Sequence, residues 1–211
     1  MSTPQKYPRY DATQKKVWTG KFRLSYPAIF APKKVGDSAK LKYSCAMLIP
    51  KTDMETITAL VTLRDDTAKA EWGSSVPKAM RNPIKDGDTE FARRVAEGKD
   101  GGEEMKGMVV IRCSSTYRPG AVKRNETGKV VNAEETDIYG GCYCMATLTA
   151  FAWKHPTNGQ GISFNLENIL KLEDGEPFGR SPSSPEDDFD AVTDANAAAA
   201  TPTAVQPNIF G

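Results

Sequence analysis

Hydrophobic and polar positions alternate with a period of two along much of this chain, most clearly between Asp137 and Phe178. From 142 to 152 the even positions Cys142, Cys144, Ala146, Leu148, Ala150 and Ala152 are small or apolar. The odd positions Tyr143, Met145, Thr147, Thr149, Phe151 and Trp153 mix aromatic with polar groups. Further on, Ile162, Phe164, Leu166, Leu170 and Leu172 share one parity, broken only by Asn168. Ser163, Asn165, Glu167 and Lys171 hold the other, with Ile169 as its exception. Successive side chains of a strand point to opposite faces, so both runs predict half-buried strands. The stretch HPTNGQG at 155–161 is rich in turn formers and joins them into a long hairpin. One face is buried; the other carries Tyr143, Phe151 and Trp153.

The same reading applies upstream. VWTGKFRLSY, 17–26, predicts a first strand with Trp18, Phe22, Leu24 and Tyr26 on one face and Lys21 and Arg23 on the other. Pro27, Pro32 and Gly36 bound a loop that carries Lys33, Lys34 and Lys40. LKYSCAMLIP, 41–50, is a second strand with Leu41, Tyr43, Cys45, Met47 and Ile49 on its apolar face. Thr52 and Glu55 have the spacing of a capping box, and Ile57, Leu60 and Val61 follow at helical spacing. They predict a helix over 53–72, ending near Gly73. Residues 74–107 are polar and irregular, with a short helix over 89–97. MVVIRCSS, 108–115, is a third strand whose continuous apolar run suggests a central position. Turns at 117–120 and 125–128 precede the long hairpin. This order predicts a mainly β fold with one or two helices, an OB-like small β-barrel with insertions. The pattern alone also permits a sandwich.

Charge divides the chain. Its 28 basic residues all lie before Ser181, whereas five of its 27 acids, Glu186, Asp187, Asp188, Asp190 and Asp194, lie after it. Residues 1–180 therefore carry +6 and the remainder −5. We expect a flexible arm over 1–15, a nucleic-acid-binding domain over 16–180 and a disordered acidic tail over 181–211. Four cysteines without a C-x-x-C pair suit a reducing, cytoplasmic setting. No signal-peptide pattern is visible, and no apolar run approaches the ~20 residues that span a bilayer.

Signals for catalysis are weak. There is one histidine, His155, in the predicted hairpin loop, and no zinc-type Cys/His spacing. Thr127-Gly128-Lys129 lacks the upstream glycine of a phosphate-binding loop. Asp86, Asp88 and Glu90 alternate around Gly87 and could hold a divalent ion, but a solvated turn is the simpler reading. No catalytic, metal or cofactor role is expected; a metal-dependent nuclease built on Asp86 and Asp88 is the weakest reading kept. The binding signal is better, because aromatics and basic residues recur together at 21–26, 40–43, 117–118 and 151–154. Single-stranded nucleic acid is bound by a basic groove along its phosphates and aromatic faces for its bases. Arg23, Lys33, Lys34, Lys42, Arg81, Lys85, Arg118 and Lys154 are candidates for phosphate contact. Tyr143, Phe151 and Trp153 are candidates for stacking, with Tyr26 and Tyr117 behind them. The acids Glu186, Asp187, Asp188 and Asp190 could occupy the same basic groove and be displaced by DNA. Ile209 and Phe210 could then anchor a partner protein.

An ordered series of short segments resembles a family of phage-encoded single-stranded-DNA-binding proteins with an OB-fold core, once catalogued as a domain of unknown function. The segments are Arg23-Leu-Ser-Tyr26, Phe30-Ala-Pro-Lys33, Lys42-Tyr-Ser44, Leu48-Ile-Pro-Lys51 and Asp53-Met-Glu-Thr-Ile57. They continue with RNPIKDGD at 81–88, Arg118-Pro-Gly120, Tyr139-Gly-Gly-Cys-Tyr143 and Asp174-Gly-Glu-Pro177. The resemblance implies coating of single strands without strong sequence preference, in replication or recombination, in the cytoplasm of an infected bacterial host. It also implies a tail that regulates or recruits, and allows duplex DNA as a second partner. The podophage replication binders of related fold end their tails in an aromatic residue, whereas Gly211 follows Phe210 here. A virion structural or scaffold protein is the alternative from another class.

Overall fold

The computed structural model describes residues 6–34 and 40–178. The tail acids, Phe210 and residues 1–5 and 35–39 lie outside the described residues. Among the described residues ten strands form: β1 (Arg9–Asp11), β2 (Lys16–Trp18), β3 (Phe22–Lys34), β4 (Leu41–Pro50), β5 (Ile84–Asp86), β6 (Met108–Ser115), β7 (Gly120–Arg124), β8 (Val130–Asn132), β9 (Tyr143–His155) and β10 (Gly159–Glu173). Two α-helices, α1 (Met54–Trp72) and α2 (Gly87–Ala96), follow β4 and β5.

Five strands close a ring in the order β3–β4–β6–β10–β9 and back to β3. All neighbours are antiparallel except β6 and β10. This closure decides for an OB-like barrel over a sandwich. β1 and β2 extend the sheet beyond β9, and β7 and β8 extend it beyond β10. The third strand of the sequence reading, β6, is central as expected. Phe22, Leu24, Met47, Ile49, Ile111, Leu148, Phe164 and Leu166 fill the interior, each at most 1% exposed.

The two parity exceptions in the second hairpin strand mark a bulge. Leu166 pairs with Leu148 and Asn168 with Thr147, so Glu167 is an extra residue. The parity flips there: Ile169 becomes fully buried and Asn168 turns outward.

Other expectations need correction. The first strand does not run unbroken through 17–26, because its pairing with β9 is interrupted between Trp18 and Phe22. Thr19 is fully buried there; its N–H donates to Ala146 O and its Oγ1 accepts from Ala146 N, both at 3.0 Å. β3 then continues through Pro27 and Pro32, where the sequence predicts a loop. Register shifts between Ser25 and Ala28 and between Ala28 and Lys33 leave no ladder bond for those prolines to break. Within the expected arm, Arg9–Asp11 pairs with β2. The cap of α1 is Asp53, not Thr52: Asp53 accepts from Thr56 N at 3.1 Å and from Thr56 Oγ1 at 2.6 Å. Its buried side is Thr56, Leu60, Leu63 and Ala68, so Val61 lies on the flank. α1 ends as expected at Gly73, whose φ of +61° favours glycine.

Candidate nucleic-acid interface

The outward side chains of the central strands divide into a covered end and an open end. Leu48 and Val110, paired across β4 and β6, are covered by Met105 and Phe178. Beyond them lie the pairs Ala46–Arg112 and Ser44–Ser114, and then Lys42. Small side chains at 44, 46 and 114 leave a depression of about 410 Å³, lined by Tyr26, Arg112, Ser114 and Ser163 among others. In OB folds this face, the second and third barrel strands, takes oligonucleotides.

Tyr26 reaches the depression because of backbone irregularity. Simple alternation would put it inside with Phe22 and Leu24. The register shift after Ser25 and a φ of +46° turn it out instead, and it is 60% exposed. On the opposite side, Ser163 pairs directly with Phe151, whose ring is 43% exposed. Two residues along β9, Trp153 pairs with Gly161 and is half-buried. A Cβ at Gly161 would lie 2.8 Å from Arg81 O and 2.9 Å from the Trp153 ring, so only glycine fits that approach. Arg81 is exposed and bridges Gly161 through its backbone. Trp153 Nε1 is buried without a hydrogen-bond partner among the described residues.

The last described pairs of β3 and β4 are basic. Lys33 sits directly opposite Lys42, an arrangement that repels unless an anion lies over it. Lys34 is exposed beside them. Tyr117 is 82% exposed, and the Arg118 guanidinium lies 5.7 Å from the Phe30 ring centre.

The remaining candidates sit elsewhere. Arg23 donates to Gly141 O at 3.2 Å and to Glu176 O at 2.6 Å, and lies 4.2 Å from the Phe178 ring centre. It braces the segment after β10. Tyr143 joins that cluster, with Arg23 at 5.5 Å and Lys21 at 5.0 Å. Tyr143 lies eight residues before Phe151 on β9, roughly 26 Å away at ~3.3 Å per residue. Lys154 has the opposite parity from Trp153 and pairs with Glu71 of α1 at 3.2 Å. Lys85 is exposed on β5, opposite Val110.

Asp86 and Asp88 both converge on Lys51 Nζ, at 2.5 and 2.6 Å. Asp86 also caps α2 by accepting from Thr89 N at 2.8 Å, and Asp88 accepts from Gly107 N at 2.9 Å. The Lys51 contact, then the Thr89 N–H, bring the Asp86 carboxyl down to about 2; Lys51 and Gly107 lower that of Asp88. These carboxylates lock a turn.

Arg112 escaped the sequence reading. It stands alone in the apolar run 108–115, and its outward parity with Ser114 was the signal that could have found it. Its side chain is 57% exposed.

A closed OB-like barrel with an open, basic and aromatic face on its central strands defines the class: an oligonucleotide-binding-fold protein. The family described as Enterobacter phage Enc34, ssDNA-binding protein, matches residues 15–199, and the chain belongs to it. That family is a non-enzymatic class of binding proteins. The chain is 26% identical over 163 residues to protein p50 of Acyrthosiphon pisum secondary endosymbiont phage 1, covering 77% of this chain and 86% of that one. Among solved structures, the single-stranded DNA-binding protein from bacteriophage Enc34 in complex with ssDNA aligns with TM-score 0.65 and 25% identity, over 82% of this chain and 97% of that one. The same phage protein in another structure aligns with TM-score 0.61 at 22% identity, over 86% and 97% of the two chains, a likeness of fold.

Proposed function

We propose that this protein coats single-stranded DNA without sequence preference during phage DNA replication or recombination in the host cytoplasm. The observation that carries the reading is the open end of the β4–β6 face, where Tyr26 and Arg112 line a depression with room for a base and Phe151 stands across the strand pair from its Ser163. The related Enc34 protein, solved in complex with ssDNA, supports it. Bases stack on Tyr26 and Phe151, with Trp153 and Tyr117 at either side. Phosphates meet Arg112, Lys42, Lys33, Lys34, Arg81 and Arg118. Arg23 and Tyr143 brace the barrel, Lys154 holds α1, and Lys85 contributes only long-range charge. Stacking on aromatic faces is tolerant of sequence, since every base has a π-face.

The acidic segment at Glu186, Asp187, Asp188 and Asp190 competes with DNA for the basic body and, once displaced, recruits replication or recombination proteins, with Phe210 as an apolar contact. A fluorescence titration with oligo-dT and with duplex of equal length tests this, for the full chain and for residues 1–180, at several salt concentrations. The expected result is preference for dT, steep weakening with salt, and tighter binding by the shortened chain. No binding of dT at low salt overturns the reading and leaves a virion scaffold role to pursue. Equal affinity of the two chains overturns the competition alone.

A further inference from the structure

We propose that Glu90 is an internal counter-charge on the DNA face: its carboxylate holds Arg112 in position and lowers the affinity of that face for phosphate. The proposal rests on the β4–β6 reading above and adds a residue outside it.

Helix α2 lies flush against the segment that leads into β6. Gly87 permits this, because a Cβ there would fall 2.1 Å from Met105 O and 2.5 Å from Met108 O. The close approach puts Glu90 of α2 beside Arg112 of β6. One carboxylate oxygen, Glu90 Oε2, accepts from Arg112 Nη2 at 3.1 Å and from Arg93 Nη2 at 3.3 Å. The Glu90 side chain is only 14% exposed, whereas that of Arg112 is 57% exposed. The anion is thus shielded at the rim, and the guanidinium projects past it with its remaining N–H groups free among the described residues. Arg93 is also claimed by Glu97, which in turn holds Lys99. The charge of Glu90 therefore falls chiefly on Arg112, among the described residues the one strongly basic side chain lining the depression.

Two effects of Glu90 oppose each other. Its hydrogen bond orders Arg112 beforehand, which spares part of the entropy cost of fixing that side chain on DNA. Its charge repels a phosphate brought to the same guanidinium, and Glu90 itself is largely shielded from solvent. Repulsion between two anions sharing one cation at a partly dry rim is the larger effect. Glu90 thereby keeps the coat releasable, so that a following enzyme can displace it.

Glutamine separates the two effects, since it keeps an oxygen acceptor for Arg112 and removes the charge. In titrations of the full chain with oligo-dT at low salt, Glu90→Gln is expected to bind roughly three- to tenfold tighter. Its slope of log K against log salt is expected to steepen by up to about 0.7, one further phosphate contact on a single strand. Glu90→Ala, which also frees Arg112, gains less than Glu90→Gln. Most of the Glu90→Gln gain disappears when Arg112→Gln is already present. Unchanged affinity and slope in Glu90→Gln, with Arg112→Gln still weakening binding, overturns the counter-charge and leaves the face standing. No effect of Arg112→Gln overturns both.

Discussion

Phe151 offers the cleanest test of stacking on this barrel. Its ring is 43% exposed and stands opposite Ser163, so truncation opens no cavity in the core. Trp153 is the less informative target, because its ring packs across Gly161 and its loss would perturb the β9–β10 pairing. A base stacked on an aromatic side chain contributes about 1–3 kcal/mol. Phe151→Ala should therefore weaken oligo-dT binding by roughly 5- to 150-fold. Stacking displaces no counterions, so the salt slope should stay that of the wild type. Fluorescence anisotropy with labelled dT, repeated across salt concentrations, reads both quantities, and thermal unfolding checks the fold. Unchanged affinity with an unchanged melting temperature would refute the placement of a base on Phe151. A changed salt slope would refute the stacking mechanism.

Further outcomes concern the scaffold. Thr19→Val keeps the shape of a fully buried side chain but orphans the Ala146 N–H that it accepts, and should cost about 1–3 kcal/mol in chemical denaturation with DNA affinity intact. Deletion of Glu167 removes the extra residue and leaves Leu166, Asn168 and Ile169 opposite Leu148, Thr147 and Ala146 with Asn168 out and Ile169 in; a cooperative unfolding transition should remain, and its loss would refute the register. Asp86 titrates near 2 because of Lys51, so its contact stabilises the fold above the ordinary carboxylate range near 4 and is lost as pH falls toward 2. Lys51→Met should return the Asp86 carboxyl toward that ordinary range in an NMR titration, and an unmoved value would contradict the assigned cause.

The hairpin of β9 and β10 was legible because each strand has one buried face, which writes a period of two into the residues. Even its defect was written there: Asn168 and Ile169 break parity where Glu167 bulges. Tyr26 was not legible as an outward residue, since its face depends on a positive φ that no alternation encodes. Pro27 and Pro32 read as a loop because a proline argues against a strand; only the register shifts of β3 show why they are tolerated. The grouping of the site was beyond sequence for a geometric reason. Tyr143 and Phe151 share a parity, but a long strand sets them at opposite ends of the barrel. Arg112 was hidden inside a run that reads as core, because β6 is apolar on its inner face and also at the covered end of its outer face.

Photocrosslinking of the full chain to an oligonucleotide carrying 5-iododeoxyuridine, with the adducts mapped by mass spectrometry, tests the central claim most directly. Adducts at Tyr26 and Phe151, competed away by unlabelled dT, are the predicted result. Adducts confined to Tyr143, Trp18 or Tyr7, with none on the β4–β6 face, would contradict it.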